Sequence, residues 1–169
     1  MLIQEKIGHI ASFPAGDREI DLLELEWFET GKRILRRRTV AGRDISLKFL
    51  RERPALTQGD ILYAGEKEII VVGILPCASI AIYPSSAYEI ASVCYEIGNK
   101  HLPLFMEGEA LLVPYEAPLF RQLQAQGYDV RKEDRKLLTS LQTTVAAHAH
   151  GGGRDGLLTK ILQITNPNP

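Results

Sequence analysis

The sequence predicts an α+β protein: a β-rich N-terminal domain over residues 1–75, a mixed domain over residues 76–138, and a flexible C-terminal tail over residues 139–169. Three observations carry this expectation. Apolar residues recur at every second position through much of Ile20 to Leu75, one apolar stripe at spacings of three and four follows Pro84-Ser85-Ser86, and the chain beyond Leu138 turns to Thr, Ala, His and Gly. With 169 residues, 45% of them hydrophobic and 24% charged, the chain can bury a real core and is no low-hydrophobicity disordered polymer.

In the first half, Leu23, Leu25 and Trp27 alternate with Glu24 and Glu26, and Ile45, Leu47 and Phe49 alternate with Ser46 and Lys48. Alternation of this kind gives a strand one buried and one wet face, so both segments are expected as half-buried antiparallel strands. Ala41-Gly42-Arg43, Gln58-Gly59-Asp60 and Ala64-Gly65-Glu66 place glycine where a turn needs a positive φ, and Pro54 separates two strands. A small barrel or sandwich is the expected result.

Pro76 marks the expected boundary. A strand-like run from Cys77 to Tyr83 precedes a helix in which Ala87, Ile90, Ala91, Cys94 and Ile97 share one stripe, with Ser86 and Glu89 spaced as a capping box. Gly98 suits the left-handed position that ends such a helix, placing Asn99-Lys100-His101 on the turn beyond. Leu102 to Met106 and Ala110 to Tyr115, joined by Glu107-Gly108-Glu109, read as a hairpin, with Met106 expected in the core. Pro118 to Gln126 reads as a second helix stopped by Gly127, and Tyr128-Asp129-Val130 opens a last strand. The order βαββαβ is the ferredoxin-like plan, a sheet with two helices on one face, and it hosts many unrelated functions.

Twenty Lys and Arg against 21 Asp and Glu leave a net charge of -1, so no global field holds the protein on nucleic acid or an anionic membrane. No apolar run approaches the ~20 residues that cross a bilayer. The opening Met1-Leu2-Ile3-Gln4-Glu5-Lys6 does not read as a secretory signal, so a cytoplasmic location is expected. Cys77 and Cys94 lack Cys-x-x-Cys spacing and read as buried thiols.

Of four histidines, three are candidate metal ligands. His148-Ala149-His150 has the i, i+2 spacing that turns both rings the same way from an extended chain, toward one ion. His101 at an exposed helix end is a single imidazole, but a two-fold dimer doubles it. Ligating imidazoles must be neutral, so metal should leave as pH drops through ~6.5. Imidazole suits nickel, zinc and copper alike.

The dense basic run Lys32-Arg33-Ile34-Leu35-Arg36-Arg37-Arg38 offers phosphate contacts, and with a ferredoxin-like sheet it motivates an alternative reading as an RNA-binding module. Its competing reading is a solvated strand balanced by Glu24, Glu26 and Glu29. Gly151-Gly152-Gly153-Arg154-Asp155-Gly156 lacks the Gly-Lys-Ser/Thr ending of a phosphate loop, and neither a Gly-x-Ser-x-Gly elbow nor a His-Glu-x-x-His pair is present. No catalytic residue is expected.

Cys94-Tyr95-Glu96-Ile97-Gly98-Asn99-Lys100-His101 resembles the corresponding element of the urease accessory protein UreE family of nickel metallochaperones. Ile7-Gly8-His9, Leu25-Glu26-Trp27-Phe28-Glu29, Lys32-Arg33-Ile34, Gly42-Arg43-Asp44-Ile45 and Gly59-Asp60-Ile61-Leu62 are similar to the family in order and spacing, so the resemblance spans roughly residues 1–140. It implies a partner-binding β-rich domain, a dimerising ferredoxin-like domain, and nickel held at the dimer interface by His101 of both subunits. By the same resemblance, His148 and His150 are the tail histidines that complete the site. The implied partners are a second copy of the chain, the urease maturation GTPase and the urease apoprotein, with no nucleic acid and no membrane.

Overall fold

The computed structural model describes residues 1–50 and 54–141. Seven strands fill the first half: β1 (Leu2–Ile3), β2 (Gly8–His9), β3 (Glu19–Leu25), β4 (Ile34–Arg38), β5 (Asp44–Lys48), β6 (Asp60–Ala64) and β7 (Glu68–Ile74). They form a three-stranded sheet, β1-β5-β4, and a four-stranded sheet, β2-β6-β7-β3. Ile3, Leu35, Ile45 and Leu47 from the first sheet meet Leu23, Leu25, Leu62, Ile70, Val72 and Ile74 from the second in one core. Each such side chain contributes about 1.5–3 kcal/mol relative to exposure.

Strand direction departs from the expectation. Among the described residues β3 pairs only with β7, in parallel, from Glu19↔Glu68 to Leu25↔Ile74. Three strands intervene in the chain between them, and a connection of that length permits parallel pairing where a hairpin forbids it. β5 is antiparallel to β4 but parallel to β1. Period two also fails in β7, where Ile69 through Ile74 are all buried. Ile61, Ile69 and Val71 face a second cluster, covered by Ile10, Phe13 and Ala15 of the N-terminal segment. Both faces of β7 are therefore covered, and an all-apolar run follows. Trp27 leaves the strand pattern for a single 3₁₀ turn, Trp27–Glu29.

Glycine meets the turns at Gly42 and Gly59, each with φ of 89°, but Gly65 has no positive φ. At Gly59 a Cβ atom would come within 2.7 Å of His9 Nε2, so the position needs both the backbone freedom and the missing side chain.

The second half runs β8 (Cys77–Ile82), α1 (Ala87–Asn99), β9 (Phe105–Glu107), β10 (Ala110–Pro114), α2 (Ala117–Ala125) and β11 (Val130–Arg135), in the order strand, helix, strand, strand, helix, strand. Its antiparallel sheet has the order β11-β8-β10-β9. Ile80, Ile82, Leu111 and Val113 pack under Val93 and Ile97 of α1 and Leu119 and Leu123 of α2. The opposite face presents Ala81, Phe105, Leu112 and Leu137, against which Trp27 packs with its ring 5.5 Å from that of Phe105. Trp27 thus joins the two halves of the chain, since it also borders the N-terminal core.

Candidate metal centre

Helix α1 delivers His101. Ser86 caps its start, its Oγ accepting from the Glu89 N–H at 3.2 Å. The Glu89 carboxylate reaches the Ser85 N–H at 2.7 Å rather than that of Ser86, so the box is offset by one residue. The helix continues through Gly98 and Asn99, and Lys100 is its C-cap. His101, not Gly98, takes the left-handed conformation, with φ of 54°. Its N–H donates to Gly98 O at 3.0 Å and the Leu102 N–H to Ile97 O at 3.3 Å, the two bonds of a Schellman ending.

Helix α2 ends the same way. Gly127 N–H donates to Gln124 O at 3.0 Å and Tyr128 N–H to Leu123 O at 3.2 Å, with φ of 87° at Gly127. One chain thus builds one helix ending twice, with glycine in one copy and histidine in the other. A residue with a Cβ in that conformation costs roughly 1–2 kcal/mol, and strain of this kind collects at functional positions.

The imidazole of His101 is exposed, at the negative end of the α1 dipole, which favours a cation there. Lys100 turns back to Glu96 at 3.2 Å, and Gln122 donates to the same carboxylate at 2.7 Å. The Gln122 and Lys100 bonds hold the Glu96 carboxyl below its ordinary range and tie the last turn of α1 to α2.

The outward face of α1 differs from the expectation. Val93 and Ile97 make the buried contacts, while Ala87, Ile90 and Ala91 of the expected core stripe are exposed. Tyr88 and Tyr95, 81% and 72% exposed, join Ala91 and Gly98 on a solvent side that carries no charge over those four positions. Met106 on β9 is 42% exposed instead of core, because β9 lies at the margin of the helix-covered face. Cys94 is half-buried, and burial pushes its thiol pKa up, so it is protonated at neutral pH. Cys77 is half-buried too, with Sγ 3.7 Å from Ser79 Oγ.

His9 serves the fold. Its Nδ1 accepts from the Ala11 N–H at 3.2 Å, which leaves Nε2 to donate to Gln58 O at 2.9 Å. Among the described residues no three His, Cys, Asp or Glu side chains converge as a metal site. His148 and His150 lie outside the described residues. The basic run is partly neutralised: Arg37 and Lys32 bind Glu29, and Arg38 binds Asp44 at 3.0 Å. Glu29 and Asp44, rather than Glu24 and Glu26, are the balancing acids: Asp44 stands opposite Arg38 in the β4–β5 pair, whereas Glu24 lies on β3 in the other sheet. Burial raises the Glu29 pKa, but the Glu26 N–H, Arg37 and Lys32 outweigh it and hold the carboxyl below its ordinary value.

Comparison with known proteins decides the family. Residues 3–75 match the UreE urease accessory protein N-terminal domain and residues 77–156 its C-terminal domain. The chain belongs to the UreE family. It is 42% identical to the urease accessory protein UreE of Flavobacterium johnsoniae over 164 residues, covering 97% of this chain and 99% of that one. The UreE of Helicobacter pylori strain G27 is 39% identical over 86% of this chain and 88% of its own. That of Acetivibrio thermocellus is 32% identical over 89% and 97%. As a UreE-family member the chain is an accessory protein, not an enzyme. None of its described helices is long and apolar enough to cross a membrane.

Sequence reasoning singled out His101 as a candidate ligand but expected Gly98, not His101, to take the left-handed position. The signal lay in comparing the two helix ends, Asn99-Lys100-His101 with Gln126-Gly127, a comparison that needs the true last turn of each helix.

Proposed function

We propose that this protein is a cytoplasmic nickel metallochaperone for urease maturation, working as a homodimer that holds one Ni(II) between the two His101 rings. His148 and His150 act as movable outer ligands, and the ion passes toward the urease apoprotein through the maturation GTPase. One observation carries the reading: an exposed imidazole held at a strained left-handed helix end where the sister helix uses glycine. Membership of a urease accessory family supports the destination.

The dimer reading rests on α1. An exposed helix face bearing Tyr88, Ala91, Tyr95 and Gly98 is apolar enough to be covered, and a second copy of the same face closes it by two-fold symmetry. Such a contact brings equal positions from two chains to one axis, which makes two ligands from one histidine. Few imidazoles grip nickel loosely, as delivery requires, and selectivity over copper then falls to geometry and partners.

The test is nickel titration calorimetry of wild type and His101→Ala, with mass measured by light scattering. Loss of the site that holds one ion per dimer is the expected result. Unchanged stoichiometry and affinity in the variant, or a monomeric wild type at micromolar concentration, would overturn it.

A further inference from the structure

The end of α1 is a place where two cations compete. It is the negative end of the helix dipole and draws positive charge. The residue beside His101 is Lys100, the C-cap of the helix. Consecutive Cα atoms are ~3.8 Å apart, so a lysine at that position can bring its ammonium within a few Å of an ion held by the neighbouring imidazole. Lysine near a helix C-terminus readily turns onto the open carbonyls of the last turn. Two-fold symmetry about the His101 pair sets two such ammonium groups around one divalent ion.

Lys100 is turned the other way. Its Nζ lies 3.2 Å from Glu96 Oε1, one turn back along α1. The same oxygen accepts from Gln122 Nε2 of α2 at 2.7 Å. Glutamate four residues before lysine is the favourable order for such a pair, but an exposed helix pair by itself holds only weakly. The Gln122 bond strengthens the hold, because a second helix fixes the acceptor before the lysine reaches it. The Lys100 and Glu96 side chains are 38% and 34% exposed, so the pair is screened less than one in open water.

We infer that Glu96 is a positioning residue for the metal site: braced by Gln122, it holds the Lys100 ammonium back from the end of α1 and so keeps a repulsive charge away from the ion at His101. This rests on the nickel reading above. Glu96 acts through Lys100 and not as a ligand. Without the carboxylate each ammonium is released toward the helix end. Moving two unit charges from ~10 Å to ~6 Å of a divalent ion in water weakens its binding about three- to tenfold, and less as salt rises.

The test is nickel titration calorimetry of the full chain as wild type, Glu96→Gln, Lys100→Gln and the double variant, with thermal midpoints followed by circular dichroism. Glu96→Gln is expected to bind about three- to tenfold more weakly at low salt, and the loss should fade in ~1 M salt. Lys100→Gln should lie within about twofold of wild type, while the same change in the Glu96→Gln background recovers the lost affinity. If the carboxylate merely attracts the ion and the ammonium merely repels it, Lys100→Gln tightens binding by one factor in both backgrounds, and that result overturns the inference. Wild-type affinity in Glu96→Gln also overturns it, as does a loss that Lys100→Gln fails to recover, which marks damage to the helix end. His101→Ala in the same series keeps the two ideas apart. Binding like wild type there removes the nickel reading itself, whereas a loss there, beside equal Lys100→Gln factors, removes only the role of Glu96.

Discussion

Replacing His101 once by alanine and once by glycine separates the conformation of the helix end from everything the imidazole touches, because neither variant keeps the ring. Alanine at φ of 54° bears the left-handed cost of roughly 1–2 kcal/mol, and glycine escapes it. Glycine loses more chain entropy on folding, roughly 0.5–1 kcal/mol, so the net advantage of His101→Gly over His101→Ala is about 0.5–1 kcal/mol. For a chain of this size that is a difference of about 1–4 °C in thermal midpoint, read by circular dichroism. Gly127→Ala is the mirror experiment. A Cβ there meets no atom within 4 Å, so only the backbone opposes it, and a loss of similar size is expected. Nickel binding should be absent from both His101 variants although their stabilities differ. An alanine variant as stable as the glycine one would refute the assignment of His101 to a left-handed helix end.

Other outcomes test the surrounding structure. Ser86→Ala removes the cap bond to the Glu89 N–H and should cost about 1 kcal/mol in urea unfolding. Glu29 is 1% exposed, and its carboxyl lies below its ordinary value of 4.5, so its contribution is present above that value and lost as pH falls through the lowered one. Glu29→Gln should therefore cost about 2 kcal/mol at neutral pH and flatten the acid limb of the stability curve. Phe105→Ala should cost about 3 kcal/mol and red-shift the emission of Trp27, the sole tryptophan, whose ring it contacts.

Period and punctuation made the second half legible. Ser86, Gly108, Pro118 and Gly127 mark caps and turns by local chemistry, and the structure places its helices and strands close to where those residues put them. Pairing was less legible, because β3 and β7 are far apart in sequence and alternation says which face is wet without saying which strand lies beside it. The stripe on α1 misled for a related reason. Ala87, Ile90 and Ala91 are apolar at helical spacing, but the helix meets the sheet through Val93 and Ile97, and spacing alone cannot tell a face that packs inside one chain from a face left outward.

His101, His148 and His150 could be singled out as ligand candidates from residue type and spacing, since those are local properties of the chain. What only the tertiary structure decided is direction: that His101 rather than Gly98 turns left-handed, and that residues 139–141 cross to β9 and pair with it antiparallel. Backbone angles at a helix end and the choice of sheet edge depend on how distant segments share donors and acceptors, and that sharing exists only once the sheet has formed.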